Sequence, residues 1–239
     1  MSDSQSLRVL LIVPAYNESS NIEHVVASIR EAGYDFIVIN DGSTDDTEEV
    51  LKRLNVLHVQ LVKNLGIGGA VQTGYKYALS HNYDIAVQFD GDGQHDATYV
   101  SDLIEPLVQG EANLSIGSRF VGNESEFKSS GARRAGIKLL SWTLKMATGE
   151  TVRDITSGFR AADRKIIELF SESYPSDYPE PESIAFALAR GLRVKEVPVA
   201  MHERKGGSSS IAGLDVVWYM LKVGLSVLLR GSYRGRRKR

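Results

Sequence analysis

The chain has 239 residues, 42% hydrophobic and 24% charged, which is the profile of a globular protein with a sizeable core and not of a disordered one. It contains no cysteine, which excludes disulfides, thiolate zinc sites and a cysteine nucleophile. The net charge of -2 is uninformative, but Arg230, Arg234, Arg236, Arg237, Lys238 and Arg239 crowd the C-terminal end. No basic and then apolar leader follows Met1, and no run of about 18 uninterrupted apolar residues occurs. The protein is expected to be cytoplasmic, or to sit on a membrane surface without crossing it.

Val9–Val13 is an unbroken apolar run, as in a buried parallel strand. Ser20 and Glu23 have capping-box spacing, and Ile22, Val25, Val26 and Ile29 recur at helical intervals. Phe36–Ile39 is a second strand, followed by a turn at Asp41–Asp45 and a helix near Asp46–Leu54. Val56–Leu61 is a third strand, Gly66–Leu79 a glycine-rich turn and helix, and Ile85–Phe89 a fourth strand. This alternation predicts an α/β fold with a doubly wound, mostly parallel sheet flanked by helices. A helix near Tyr99–Val108 and a strand at Leu114–Gly117 continue it. Beyond Arg119 the rhythm breaks into a polar loop, Val121–Gly131, and a basic amphipathic helix, Ala132–Ala147. A short segment at Phe159–Ala162, helices near Asp163–Phe170 and Glu182–Arg190, and a strand at Val194–Val199 complete the domain.

The chemistry concentrates after the fourth strand, in Asp90-Gly91-Asp92-Gly93-Gln94. Ligands of open α/β sheets bind at the carboxyl ends of strands. Two carboxylates one residue apart on such a turn can share a hard divalent cation, which also accepts phosphate oxygens from a substrate. Alone, this pattern also fits a solvated acidic turn. Pro14-Ala15-Tyr16-Asn17-Glu18 and Asp41-Gly42-Ser43 follow the first two strands, so three polar ends meet on one rim. Tyr16 can cover a base, and Glu18 or Asp41 can accept hydrogen bonds from base or ribose. Gly66, Gly68 and Gly69 lack dinucleotide-binding spacing and follow the third strand; close backbone packing or approach to a nucleotide explains them better.

Six motifs occur in order between about Val9 and Ser210: V-P-A-Y-N-E, I-N-D-G-S-T-D, N-L-G-I-G-G-A, F-D-G-D-G-Q-H, G-S-R-F and D-I-T-S-G-F-R. In this the chain resembles the family 2 glycosyltransferases, and within them the dolichyl- and polyprenyl-phosphate sugar synthases. The resemblance implies a GT-A fold and inverting transfer from a nucleotide-sugar, by family analogy a UDP-sugar ahead of a GDP-sugar. It implies that Pro14, Tyr16, Glu18, Asp41, Gly69 and Gly91 hold the nucleotide. Asp90, Asp92 and Gln94 would hold Mg²⁺ or Mn²⁺ and the diphosphate. Arg119, Arg133 and Arg134 would meet the acceptor phosphate, and Arg204 with Lys205 the donor diphosphate. Bidentate arginine suits phosphate geometry. The lipid-phosphate synthases carry a lysine near the position of Ser210, which this chain lacks.

A polyprenyl phosphate acceptor is already anionic and needs no general base. A sugar hydroxyl acceptor, as in polysaccharide assembly, requires one, and Glu182 is the first choice. Acidic residues also favour a first helical turn, so Glu182 reads more readily as a helix start than as a base. His95 is a metal ligand, a group supporting the acidic pair or, more commonly for such a position, a solvated loop histidine. Residues 1–212 form the transferase domain. Residues 213–239 form an amphipathic C-terminal helix, Leu214–Leu229, and a basic tail suited to a membrane surface or a small membrane-protein partner. Nucleic acid is a poor partner, since no aromatic platform accompanies the basic tail. A non-catalytic nucleotide-sugar scaffold would not need both Asp90 and Asp92.

Overall fold

The computed structural model describes residues 7–122, 131–176, 178–201 and 222–226, with the backbone alone at 131–133. Among the described residues up to 201, seven strands and seven α-helices follow in chain order: β1 (Val9–Ala15), α1 (Ile22–Ala32), β2 (Asp35–Asn40), α2 (Thr47–Arg53), β3 (His58–Gln60), α3 (Gly66–Ser80), β4 (Ile85–Gln88), α4 (Val100–Val108), β5 (Leu114–Ser118), α5 (Gly131–Thr148), β6 (Arg160–Asp163), α6 (Arg164–Glu172), α7 (Pro179–Ala189) and β7 (Val194–Pro198). They build one sheet in the order β3-β2-β1-β4-β6-β5-β7. All pairings are parallel except those of β6, which runs antiparallel to β4 and β5. The short segment expected at Phe159–Ala162 is therefore the strand that joins the two parallel halves.

Successive residues of a strand point to opposite faces, and β1 divides its side chains accordingly. Leu10 and Ile12 enter a core formed with α3, α5, α6 and α7, whereas Leu11, Val13 and Ala15 enter one formed with α1, α2 and α4. Because both of its faces are covered, β1 is apolar throughout and carries no alternation. Gly74 brings α3 close to the sheet, since a Cβ there would lie 2.1 Å from Cγ2 of Ile12.

One local expectation needs correction. The capping box of Ser20 and Glu23 does not form. Asn21 is the residue before the first helical turn of α1, with no side-chain capping bond, and this puts Glu23 one position too early to reach back. The carbonyl of Glu18 accepts from the Asn21 and Ile22 amides instead, and Glu23 pairs with Arg53 at 2.9 Å. The polar segment 123–130, the glycine-serine loop and most of the expected C-terminal helix lie outside the described residues. Residues 222–226 of that helix are helical, and Val223 is buried in the core beside Ile137, Leu140 and Leu144 of α5.

Candidate active site

The sheet order places β2, β1 and β4 side by side and parallel, so their carboxyl ends open on one rim. There a cleft of about 340 Å³ receives Pro14, Tyr16 and Glu18 from the end of β1, Asp41 from β2, and Asp90, Gly91 and Asp92 from β4. These seven expected site residues are thus brought together. The β3–α3 turn contributes Asn64, Gly66, Ile67 and Ala70 to the same cleft. Gly69 is not among its lining residues; it packs on the Leu65 side chain.

The loops after β1 and β2 are locked together. Asn17, in the left-handed region at φ 55°, donates its N–H to Oγ of Ser43 at 2.9 Å and accepts from the Thr44 N–H at 2.8 Å. The Glu18 N–H donates to Oγ1 of Thr47, and the Asn21 amide donates to the Glu18 carboxylate at 2.8 Å. Asp41 is buried and accepts from the Leu65 N–H at 2.7 Å, tying β2 to the start of α3. Burial pushes the Asp41 carboxyl up, against the opposing pull of the Leu65 and Gly66 amides.

The acidic pair is braced from behind. Nε2 of Gln88 donates to Oδ1 of Asp90 at 3.2 Å. The Asp90 N–H donates to Nδ1 of His95 at 3.0 Å, which leaves the proton of the neutral ring on Nε2, 3.6 Å from Oδ2 of Asp90. His95 is not a solvated loop residue. It is buried, stacked on Phe159 at 4.7 Å, and its pKa is lowered by burial against the raising effect of Asp90 and Asp92. Asp92 accepts from the Gln94 N–H at 3.1 Å, while Gln94 itself is half-buried and does not line the cleft. Gly158 closes the far side, where a Cβ would lie 2.6 Å from Oδ2 of Asp90.

Among the described residues no cluster of three or more acidic or histidine side chains could hold a metal ion by itself. Two carboxylates on one turn fit a hard cation that keeps waters and takes its remaining oxygens from a diphosphate. The buried Oε1 of Gln88, directly behind Asp90, has no hydrogen-bond partner, which marks the floor of this turn as polar and incompletely satisfied by the chain alone.

A second groove, of about 570 Å³, lies between the end of β5 and α5. Its basic residues are Arg119, Arg134, Lys138 and Arg153. Arg119 turns Nε and Nη2 toward buried Asp154, at 2.8 and 2.7 Å, and its backbone N–H binds the same carboxylate at 2.9 Å. The Arg153 and Asp154 amides are held in turn by Glu196. Arg134 lines the groove; the side chain of Arg133, and Arg204 and Lys205 altogether, lie outside the described residues. Glu182 is buried in the first turn of α7 and lines neither cavity. Glu180 stands in the same first turn of α7. Burial raises its pKa, the Asp90 charge adds to that, and Arg160 opposes it.

Residues of the D-I-T-S-G-F-R motif to which the sequence assigned no role complete the site. Arg160 is fully buried and donates to the carbonyls of Ser157 and Glu180 and to Oγ of Ser183 at 2.8 Å, binding the Gly158 loop to α7. Asp154 and Gly158 stand in the same D-I-T-S-G-F-R motif, so their signal was present in the sequence but not their partners.

The strand-end cleft, the acidic pair and the mostly parallel sheet define an α/β protein with a polar cleft at the carboxyl ends of its central strands. The model of the Glycosyl transferase family 2 matches residues 10–170, and the chain belongs to that family. It is 31% identical to a UDP-N-acetylglucosamine–dolichyl-phosphate N-acetylglucosaminyltransferase of Methanococcus voltae, over 90% of this chain and 96% of the relative. It is 32% identical to an undecaprenyl-phosphate mannosyltransferase of Micrococcus luteus, over 87% and 88%. Among solved structures it is similar to the glucosyl-3-phosphoglycerate synthase of Mycobacterium tuberculosis crystallised with Mn²⁺, UDP and phosphoglyceric acid. The TM-score is 0.71 at 25% identity, covering 95% of this chain and 79% of that one. The fold is GT-A.

Proposed function

We propose that the protein transfers a sugar, with inversion, from a nucleotide-diphosphate sugar to a polyprenyl phosphate at the cytoplasmic face of a membrane. The observation that carries this reading is the pairing of two cavities of opposite chemistry. One is the acidic cleft at the ends of β1, β2 and β4. The other is the groove lined by Arg119, Arg134, Lys138 and Arg153. The names of the two lipid-phosphate transferases given above support the acceptor. The UDP in the name of one relative and in the M. tuberculosis structure supports a UDP-sugar donor.

In this reading Tyr16 covers the base at the cleft mouth, and Glu18 and Asp41 accept from base and ribose. Asp90 and Asp92, with Gln94 nearby, would hold Mg²⁺ or Mn²⁺, and such an ion would supply positive charge against the departing diphosphate. Gln88, His95 and Gly158 keep the Asp90 carboxylate aimed into the cleft. An acceptor phosphate oxygen attacks C1 of the sugar, the bond from C1 to the diphosphate oxygen breaks, and the nucleoside diphosphate leaves with the electron pair. No proton has to move. Arg134, Lys138 and Arg153 offset the repulsion between the two phosphate groups, which is an electrostatic positioning task. Transfer to a hydroxyl would call for a base in the cleft. The burial of Glu182 away from both cavities favours the lipid phosphate.

No helix among the described residues is long and apolar enough to span a bilayer, which is compatible with a peripheral enzyme. The test is incubation with radiolabelled UDP-sugars, a short-chain polyprenyl phosphate and Mn²⁺. Label is expected to enter the organic phase. Label that stays aqueous with UDP- and GDP-sugars alike would remove the proposal.

A further inference from the structure

Behind the basic groove a single carboxylate holds two of its cations in place. Residues 149–159, between α5 and β6, form neither helix nor strand. They nevertheless supply Arg153 to the groove lining and Asp154 to the clamp on Arg119. Two bonds that steady this turn are long. The Ser157 N–H reaches the Asp154 carbonyl at 3.3 Å, and the Ser141 hydroxyl reaches the Arg153 carbonyl at 3.4 Å. The short bonds to its backbone come from Glu196. Oε2 accepts from the Arg153 N–H at 2.8 Å, and Oε1 accepts from the Asp154 N–H at 2.8 Å. Glu196 stands on β7 in register with Ile116 of β5, the strand that leads into Arg119. The contacts therefore close a ring. β5 carries Arg119, Arg119 grips Asp154, the 153–154 amides grip Glu196, and the β5–β7 ladder returns to β5. Along β7, Val194 packs on the core that holds Ile116, and Val197 belongs to the core of the other face. Glu196 takes the side of Val194, where an apolar side chain would hold the strand with no carboxylate to desolvate. The carboxylate is needed only for the two amides.

We propose that Glu196 is a positioning residue for phosphate recognition in the basic groove: by gripping two consecutive amides it fixes where Arg119 and Arg153 stand. It touches no substrate itself. The inference deepens the reading that this groove takes the acceptor phosphate, and it rests on that reading. The sign of the charge separates positioning from a plain electrostatic role. A carboxylate beside a phosphate site repels phosphate. If charge were all that Glu196 contributed, neutralising it would tighten phosphate binding. If it holds the turn, the same change loosens binding, because the two arginines lose their common anchor. A residue that merely joins β7 to the domain would affect nucleotide and phosphate binding alike.

The experiment uses the full chain with Glu196→Gln, which keeps the shape but offers one acceptor oxygen in place of two. Hydrogen exchange of the Arg153 or the Asp154 amide, followed by NMR, should quicken at least about tenfold. Dodecyl phosphate, the probe for the groove, should bind about tenfold more weakly by calorimetry, while UDP with Mn²⁺ binds as before. KM for a short-chain polyprenyl phosphate should rise by a similar factor, with KM for the nucleotide-sugar unchanged. Glu196→Asp keeps the charge but withdraws it by one methylene, and it should show the same loss; a plain electrostatic role predicts wild-type behaviour. Lys195→Gln is the control. Lys195 neighbours Glu196 on β7, pairs with Glu111 in solvent and lines neither cavity, so none of these readings should change. The inference is overturned if dodecyl phosphate binds the Gln variant as tightly as the wild type or more tightly. It is also overturned if UDP and dodecyl phosphate binding fall together with the folded fraction. Weakened dodecyl phosphate binding in a protein that labels no polyprenyl phosphate would uphold the role of Glu196 and remove the acceptor reading.

Discussion

Gly158→Ala adds one methyl group and tests how tightly the acidic pair is braced. The new Cβ would lie 2.6 Å from Oδ2 of Asp90 and 3.1 Å from Nε2 of Gln88. Ordinary contact begins at 3.4 Å, so the carboxylate must retreat by roughly 0.8 Å, the difference between 3.4 and 2.6. It cannot retreat freely, because its Oδ1 accepts from Gln88 and its Oδ2 faces the His95 ring. A misplacement near 1 Å in a reacting constellation costs about a hundredfold in rate. The expected loss in kcat/KM is therefore between about tenfold and a hundredfold, with a higher Mn²⁺ concentration needed for half-maximal rate. Overpacking should cost only about 1–3 kcal/mol of stability, since the atoms displaced are side-chain ends and not backbone. The assay is steady-state transfer across a Mn²⁺ titration, with thermal unfolding of the same samples. Wild-type activity at unchanged Mn²⁺ dependence would refute the argument that Gly158 aims Asp90. So would a loss of rate matched throughout by loss of folded protein.

Three further outcomes are expected. Asp92→Ala should abolish Mn²⁺-stimulated UDP binding, seen by calorimetry, and reduce transfer by at least about a hundredfold with little change in melting temperature, because the residue is only half-buried. Asp154→Ala should destabilise by about 3–5 kcal/mol, since it strands the buried Arg119 guanidinium. In a chain of this size that lowers the melting temperature by about 10 °C, read by calorimetry or circular dichroism. Lys138→Glu in the basic groove should raise KM for the lipid-phosphate acceptor about tenfold and leave KM for the nucleotide-sugar unchanged, as shown by varying one substrate at a time.

The sheet could be read from the chain because its signals are local. Unbroken apolar runs such as Leu10–Val13 imply strands covered on both faces, and the alternation with helical spacing implies parallel neighbours. β6 escaped that reading. Its Arg160 is fully buried, and a charged residue in a short run argues against a central strand until its partners are known. Those partners, the carbonyls of Ser157 and Glu180 and the hydroxyl of Ser183, include groups some twenty residues away. The capping box failed for the opposite reason. Its residues were correctly spaced, but the turn at Glu18 set the start of α1 one position off.

The same distinction runs through the site. Pro14, Tyr16, Glu18, Asp41, Asp90, Gly91 and Asp92 stand at strand ends, and the rule that ligands gather there is enough to unite them. What orients them depends on contacts between distant segments. Phe159 presses on His95 across 64 positions, Gly158 leaves room for Asp90 across 68, and Asp154 takes hold of Arg119 across 35. All three supports lie in the D-I-T-S-G-F-R segment, whose residues taken singly predict nothing: a glycine, an aromatic and an acid. Folding β6 between β4 and β5 carries that segment to the backs of both the acidic cleft and the basic groove. A single antiparallel strand thus couples the geometry of the two cavities. A substitution that shifts the register of β6 should therefore disturb the acidic and the basic cavity together.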